Sequence, residues 1–367
     1  MIVGGGIIGL SIGWQLLRRD RAVIAFDRGG AGREASWVAG GMLAPHSEVG
    51  FEEEDFLRVG ARSLELFPRL VGELEEDTGD RVSLDSHGTL IVALNRDDMA
   101  RIRRLFEFRQ HLGLPVEWML GSEAREREPL LSPKVTAAIS LPDDIQVNSR
   151  RLVKVLRDAF VKRGGRLEEN TEVEAIEVRG DRAVGVSTPS GVTDADAVVL
   201  AAGSWSSRIG GIPDALRPPV RPIKGQVVSL RQNGDVHFKH VIRSPDIYLV
   251  PKDDGRLIVG ASQEEMGFDK TPTAGEVMRM LERGWEAVPA IYDLPLESID
   301  VGLRPGSRDH MPIIGATAIE KLYYATGHFR HGILLTPLTA YAMCDLIAGG
   351  NAWDDLASFD PRRFTNR

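Results

Sequence analysis

Residues 1–30 read MIVGGGIIGLSIGWQLLRRDRAVIAFDRGG. Gly4, Gly6 and Gly9 fall at the G-x-G-x-x-G spacing of a dinucleotide-binding turn. In such a turn the first glycine permits a tight bend, the second lets a pyrophosphate approach the backbone, and the third lets helix and strand pack closely. LSIGWQLLRR predicts a helix whose positive N-terminal end faces the phosphates. AVIAFDR predicts a short strand ending at Asp27, about 20 residues past the glycines, where an acid binds ribose hydroxyls. Strand, turn, helix, strand and acid together predict a Rossmann-like dinucleotide site. The glycines alone do not choose between FAD and NAD. Only Met1, Ile2 and Val3 precede them, whereas a buried parallel strand usually has about five residues. Either the natural chain begins further upstream or the domain tolerates a clipped central strand.

A chain of 367 residues is long enough for two domains. Its 43% hydrophobic and 27% charged content is that of a soluble globular protein, and its net charge of −8 argues against nucleic acid as a partner. The basic stretches RIRRLFEFRQ and NSRRLVKVLRDAFVKRGGR read as amphipathic helices with solvated basic faces. One cysteine, Cys344, precludes an internal disulfide and fits a reducing, cytoplasmic setting. Pro337 and Asp345 break the longest apolar run, GILLTPLTAYAMCDLIAGG, which therefore reads as a buried helix rather than a membrane span.

Further along, the small residues of GREASWVAGGMLAPHSE suit a backbone lying flat against a planar ligand. FLRVGARSLELFPRLVGELEEDTG has helical spacing and a glycine stop. VSLDSHGTLIVAL reads as a hairpin-like pair of strands, DDMARIRRLFEFRQHLGL as a helix, and VTAAISLP as part of a strand-rich second domain. From QVNSRR to AVVLAAG the pattern returns to nucleotide-domain logic: helix, strand, hairpin and a final apolar strand ending in small residues. PPVRPIKGQVVSLRQ through IYLVPKDDGRLIVGAS alternates again, with DDG marking a turn. TAGEVMRMLERGWEAVP predicts a helix, and the tail reads strand, loop, strand, loop, helix. The expected fold is α/β: a discontinuous nucleotide domain (1–80, 145–215 and 301–367) with a mixed, largely antiparallel sheet domain inserted twice (81–144 and 216–300).

GGGIIGLSIGWQL, AGGMLAP, TEVEAI, AAGSWS, RPIKGQ, YLVPKDDGRLIVGAS, GLRPGSRDHMPIIG and GHFRHGILLTP occur in the order found in FAD-dependent amine oxidoreductases. The chain resembles that family, which includes D-amino-acid oxidase, sarcosine oxidase and the glycine oxidases of the thiamine pathway, over nearly its whole length. The resemblance implies non-covalent FAD in an extended groove and oxidation of a small amino acid, glycine first, to an imine or 2-oxo acid. It further implies hydrogen peroxide as second product, supply of glycine imine for thiazole synthesis, and a homotetramer.

By the same resemblance, Gly4, Gly6, Ile7, Ile8 and Gly9 line the pyrophosphate, and Asp27 and Arg28 the adenosine ribose. Ala35, Ser36, Gly40, Gly41 and Met42 pass near phosphates and flavin, Val173 in the strand TEVEAI meets adenine, and Gly203, at the end of AVVLAAG, also borders the cofactor. His328, Phe329, Arg330, His331, Gly332, Ile333 and Leu334 border the flavin ring, with backbone N–H groups at the start of the last helix facing its pyrimidine end. Arg304, held extended by Pro305, takes the substrate carboxylate with its planar fork. Tyr248 closes the pocket beside it, and Arg330 stands near both substrate and flavin. His331, Asp246 and Gln263 depart from the family pattern and bear on substrate size, and the pocket shape near Met42, Ala44, Glu48, Tyr248 and Gln263 decides between glycine and its rivals sarcosine, D-amino acids and proline-like imino acids. Histidine pairs in HFKH and HFRH lack a third ligand, so no metal is expected. Two other readings remain open: an NAD-dependent dehydrogenase and a non-catalytic FAD-binding subunit.

Overall fold

The computed structural model describes residues 1–50, 54–234, 236–351 and 353–364. The opening strand is indeed short, Ile2–Val3, yet it is central to a six-stranded sheet. Across that sheet the strands run Ile313–Ala316, Leu322–Thr326, Val198–Leu200, Ile2–Val3, Ile24–Phe26 and Arg166–Glu168. All neighbours pair in parallel except the edge strand Ile313–Ala316.

Alternate residues of these strands point to opposite faces. Ile2, Ala25, Val199 and Tyr323 meet the helices Ile7–Leu17, Glu54–Thr78, Ser149–Lys162 and Thr336–Ile347 in one apolar cluster. Val3, Phe26, Val198, Leu200 and Tyr324 pack instead on a three-stranded sheet, Ala175–Arg179, Arg182–Thr188 and Gly191–Asp194. A two-residue strand thus suffices because both of its neighbours and both of its faces are occupied. Helix Glu54–Thr78 ends as expected at Gly79, whose φ is +79°.

A second sheet has eight strands, in the order Leu296–Gly306, Arg221–Arg231, Arg256–Gly260, Tyr248–Pro251, Val241–Arg243, Thr89–Ala93, Ala137–Leu141 and Glu117–Leu120. One face packs on the helix Ala274–Ala287 through Val228, Leu257, Val259 and Met280. On the other face Val227, Val250 and Ile258 approach Val38 and Met42 from the nucleotide side. The functional cleft opens between this face and the six-stranded sheet.

Several expectations are corrected. VSLDSHGTLIVAL forms no hairpin, since Leu84–Asp85 joins a small sheet with Met42–Leu43 and Ile145–Val147 while Thr89–Ala93 joins the large one. Strand Leu296–Gly306 pairs with Arg221–Arg231 along its length, so a boundary at 301 would cut one continuous ladder. The tail contains three strands before its helix, which begins at Thr336 rather than near His328. Arg109, read as part of a solvated basic face, is 1% exposed and donates to the carbonyls of His46 and Ser47. No helix among the described residues is long and apolar enough to cross a membrane.

Candidate active site

One cavity runs from Asp27 and Val173 past the glycine turn to Tyr248 and Arg304. At its nucleotide end the walls are largely main chain. Gly4 has φ +108°, and a Cβ there would lie 2.4 Å from the Ala201 carbonyl oxygen, so no other residue fits. Gly6 is the N-cap of helix Ile7–Leu17 and offers no side-chain cap, which leaves the helix opening toward the cavity that Gly6, Ile7 and Ile8 line. The Ser36 hydroxyl accepts from the Ile7 N–H at 3.1 Å and ties the Ala35–Val38 turn to the helix start. Asp27 accepts from the Gly5 and Gly29 N–H groups at 2.8 and 2.9 Å, and burial pushes its carboxyl above the usual range. Arg28 stacks on the Trp205 ring at 4.1 Å.

Ala35, Ser36, Gly40, Gly41, Met42 and Gly203 line the same cavity, as does Val173. Val173 does so from the extended segment before strand Ala175–Arg179, not from within a strand as its pattern suggested. Gly9 lies behind the wall: a Cβ there would sit 2.0 Å from the Gly4 carbonyl oxygen, so this glycine lets helix and strand pack and leaves cofactor contact to its neighbours.

At the other end side chains do the work. The Arg304 guanidinium lies over Gly225, where a Cβ would fall 2.3 Å from Nη1. Nη1 donates to the Ser262 carbonyl at 3.0 Å, and among the described residues no carboxylate pairs with Arg304. The Tyr248 ring is wedged between Gly40 and Gly260; burial pushes its phenol up, against the pull of Arg304 beside it. It therefore stays a neutral hydrogen-bond donor at ordinary pH.

His328, Phe329, Arg330, Gly332 and Ile333 also line the cavity. Their turn is clamped to the arginine strand, with the Phe329 N–H donating to the Pro305 carbonyl at 2.9 Å. Burial pushes the His328 imidazole down to about 3, and its Nε2 lies 3.2 Å from the Thr339 hydroxyl. His331 and Leu334 sit behind the wall, the first against Glu48 and Phe56, the second in the helical core.

Arg243 was not foreseen from sequence. It enters the cavity and donates to Glu48 Oε1 at 3.3 Å and to the Ser47 hydroxyl at 3.1 Å. Nothing in VIRSPD signals that placement, because it depends on a strand pairing parallel with Thr89–Ala93. Asp246 and Gln263 line the rim, whereas Ala44 is buried away from it. Cys344 is buried in the last helix, near the Ile12 carbonyl and outside the cavity wall, with its thiol pushed up to about 12 by burial. Such a thiol is unsuited to covalent flavin attachment. Among the described residues no group of three or more His, Cys, Asp or Glu is placed to hold a metal ion.

The donor chemistry fits FAD. A helix start whose N-cap is a glycine and the side-chain-free turn before it suit a pyrophosphate, an acid stands ready for a ribose, and Gly40, Gly41 and Met42 line the way to the arginine end. The family pattern of FAD dependent oxidoreductases matches residues 1–346, and the chain belongs to that family. Glycine oxidase of Geobacillus kaustophilus is 35% identical over 365 residues, covering 99% of this chain and 96% of that one. The crystal structure of glycine oxidase from Geobacillus kaustophilus superposes with a TM-score of 0.92 over 99% of this chain and 97% of that one, at 34% identity. The bifunctional protein ThiO/ThiG of Synechocystis is 34% identical over 99% of this chain, which spans only 54% of that longer protein. The crystal structure of iminodiacetate oxidase from Chelativorans sp. BNC1 superposes with a TM-score of 0.88 at 25% identity, covering 98% of each chain. The protein is thus an FAD-dependent oxidoreductase of the amino-acid oxidase type.

Proposed function

We propose that this protein oxidises glycine to its imine, which water converts to glyoxylate and ammonium. The observation that carries the reading is the Arg304 guanidinium, turned into the cofactor cavity with no carboxylate partner of its own among the described residues. A cation so placed is matched by the carboxylate of an amino acid, taken by two parallel hydrogen bonds. The Tyr248 hydroxyl would share that load, and the two would hold the substrate so that Cα faces the part of the cavity that receives the ring.

The chemistry FAD supplies when bound is hydride acceptance from Cα and onward transfer of the electron pair, here to dioxygen with release of hydrogen peroxide. Gly4, Gly6, Ile7, Ile8, Asp27, Arg28 and Val173 would hold its adenosine and pyrophosphate, and Gly40, Gly41, Met42, His328 and Phe329 its ring. No side chain need take the substrate's Cα proton; the chain's part is to orient, to exclude water and to keep the amine neutral. His328 is uncharged at working pH and brings no charge of its own to the site.

Relatives that carry ThiO and ThiG in one chain support a place for the imine in thiazole assembly, within thiamine biosynthesis. A cytoplasmic location and a homo-oligomeric state belong to the same reading. The test is peroxide release from glycine, sarcosine, D-alanine and D-proline by the yellow protein. The highest kcat/KM is expected for glycine; a protein that oxidises none of the four refutes the reading.

A further inference from the structure

Beyond Gly260 the chain stays beside strand Arg221–Arg231 but falls out of step with it. Val227 pairs with Gly260 and Lys224 bridges Glu264, so the Arg221–Arg231 strand advances three residues while its partner advances four. The extra residue makes a bulge at Ala261–Gln263, where backbone groups turn out of the ladder. One group so turned is the Ser262 carbonyl, which accepts from Arg304 Nη1 at 3.0 Å. The other polar groups of Ser262 hold it in place. Its N–H donates to the Gln226 carbonyl at 3.2 Å, and its hydroxyl accepts from the Gln226 N–H at 2.9 Å and donates to Glu264 Oε1 at 2.6 Å.

We propose that Glu264 is a positioning residue for the substrate clamp: it fixes the Ser262 hydroxyl, and through Ser262 the carbonyl that sets the Arg304 guanidinium. The inference rests on Arg304 taking the substrate carboxylate.

Two contacts define the guanidinium. Gly225, opposite the bulge, sets its plane, because Cζ, Nη1 and Nη2 all crowd the place where a Cβ would stand. The Ser262 carbonyl sets its rotation within that plane. A forked pair with a carboxylate needs both, since its two hydrogen bonds must run parallel. Side chains alternate along the strand, so Gly225 faces the cavity while Lys224 and Gln226, both fully buried, reach the opposite way. Lys224 Nζ donates to the Thr271 carbonyl at 2.7 Å, which holds the segment after the bulge. Gln226 Nε2 donates to Glu264 Oε1 at 2.9 Å and to Thr273 Oγ1 at 3.1 Å, and Gln226 Oε1 accepts from the Thr273 N–H at 2.9 Å. Glu264 Oε1 is therefore the shared acceptor of two buried side chains. Without it the Ser262 hydroxyl and one Gln226 amide proton lose their partner, and the bulge loses the geometry that aims its carbonyl. Both bonds call for an acceptor and neither for a charge, so glutamine can replace the carboxylate.

The test compares Glu264→Leu with Glu264→Gln, each with its flavin bound. Steady-state kinetics with glycine are read beside a titration of the flavin absorbance with glycolate, which has glycine's carboxylate but no amine to oxidise. In Glu264→Leu both the glycine KM and the glycolate dissociation constant should rise about tenfold, with kcat changed less, because a displaced clamp weakens its hold on the carboxylate. In Glu264→Gln both should stay within about twofold of the unaltered protein. A Glu264→Leu protein that melts earlier but keeps both constants would overturn the proposal, since the residue would then serve stability alone. Equal losses in the two variants would overturn it too, by assigning the effect to charge. Should Glu264→Leu fail to fold, Ser262→Ala decides in its place. It keeps the carbonyl but loses the hydroxyl, and should raise both constants about tenfold, whereas unmoved constants would overturn the proposal. Absence of glycolate binding and of glycine oxidation in the unaltered protein would instead remove the underlying reading of Arg304.

Discussion

Where the cavity meets strand Ile2–Val3, its shape is set largely by backbone torsions and missing Cβ atoms in the first 42 residues, completed by the short segments 171–173 and 201–205. Where it meets strand Leu296–Gly306, it is built from Arg304, Tyr248, Arg243 and Glu48, drawn from four separate segments and held by long-range strand pairing. The first end is local and leaves a spacing pattern in the chain. The second is made by tertiary structure, and its residues carry no pattern of their own. A shared cofactor can be received by the first end in any relative, while the second is free to vary with the substrate.

That contrast breaks cleanly if the two ends respond separately to mutation. The largest effect is expected for Gly4→Ala. Its Cβ would meet a backbone oxygen at 2.4 Å while φ stays at +108°, two penalties of about 1–3 kcal/mol each. Flavin-to-protein ratio and melting temperature should both fall.

Arg304→Lys comes next and should act only at the other end. Losing a charged, forked hydrogen bond costs about 1.5–3 kcal/mol, or roughly 10- to 150-fold in kcat/KM for glycine, with flavin content unchanged. Flavin loss in this variant would show that the two ends are not independent.

Gly225→Ala sharpens the point with a milder disturbance. Its methyl would crowd the movable tip of Arg304 at 2.3 Å, so KM for glycine should rise by about tenfold, one guanidinium contact's worth, without cofactor loss. An unchanged KM would mean that the guanidinium need not lie over that glycine to bind substrate.

The last prediction concerns pH and leaves activity aside. Burial pushes the folded His328 down to about 3 from its ordinary 6.5, so below 6.5 the unfolded chain binds a proton that the folded one refuses. Stability from this group is complete above pH 6.5 and falls with pH by about 1.4 kcal/mol per unit until the folded value is reached. Glu48, depressed from 4.5 to about 2, adds its loss only below pH 4.5. Denaturant titrations between pH 6.5 and 4.5 should therefore be flatter for His328→Asn than for the unaltered chain; equal slopes would place the proton elsewhere.

Much of the fold was legible because its signals are local. The glycine spacing, the helix after it, the stop at Gly79 and the DDG turn each depend on a few adjacent residues. Gly9 was assigned to the cofactor by family resemblance, whereas the motif's own logic gives its third glycine the helix–strand packing role found in the structure. The apparent hairpin at residues 82–94 failed because alternation predicts strands but not which sheet receives them. The boundary at 301 failed for the same reason, since strand Leu296–Gly306 owes its place to Arg221–Arg231 and not to the segment that follows it. Arg109 looked solvated on its helix, yet the carbonyls of His46 and Ser47 supply acceptors that no periodicity reveals. Arg304 and Glu48 were found through family resemblance rather than through residue pattern, and Arg243 with its pairing to Glu48 only through geometry.

The most direct test is an anaerobic titration of the flavin absorbance with glycine in the unaltered protein and in Arg304→Ala. The unaltered protein should lose its yellow colour at saturating glycine, and Arg304→Ala should keep the flavin but stay yellow at the same concentrations. Bleaching of both at the same half-saturating glycine would contradict the role of Arg304 as the carboxylate clamp.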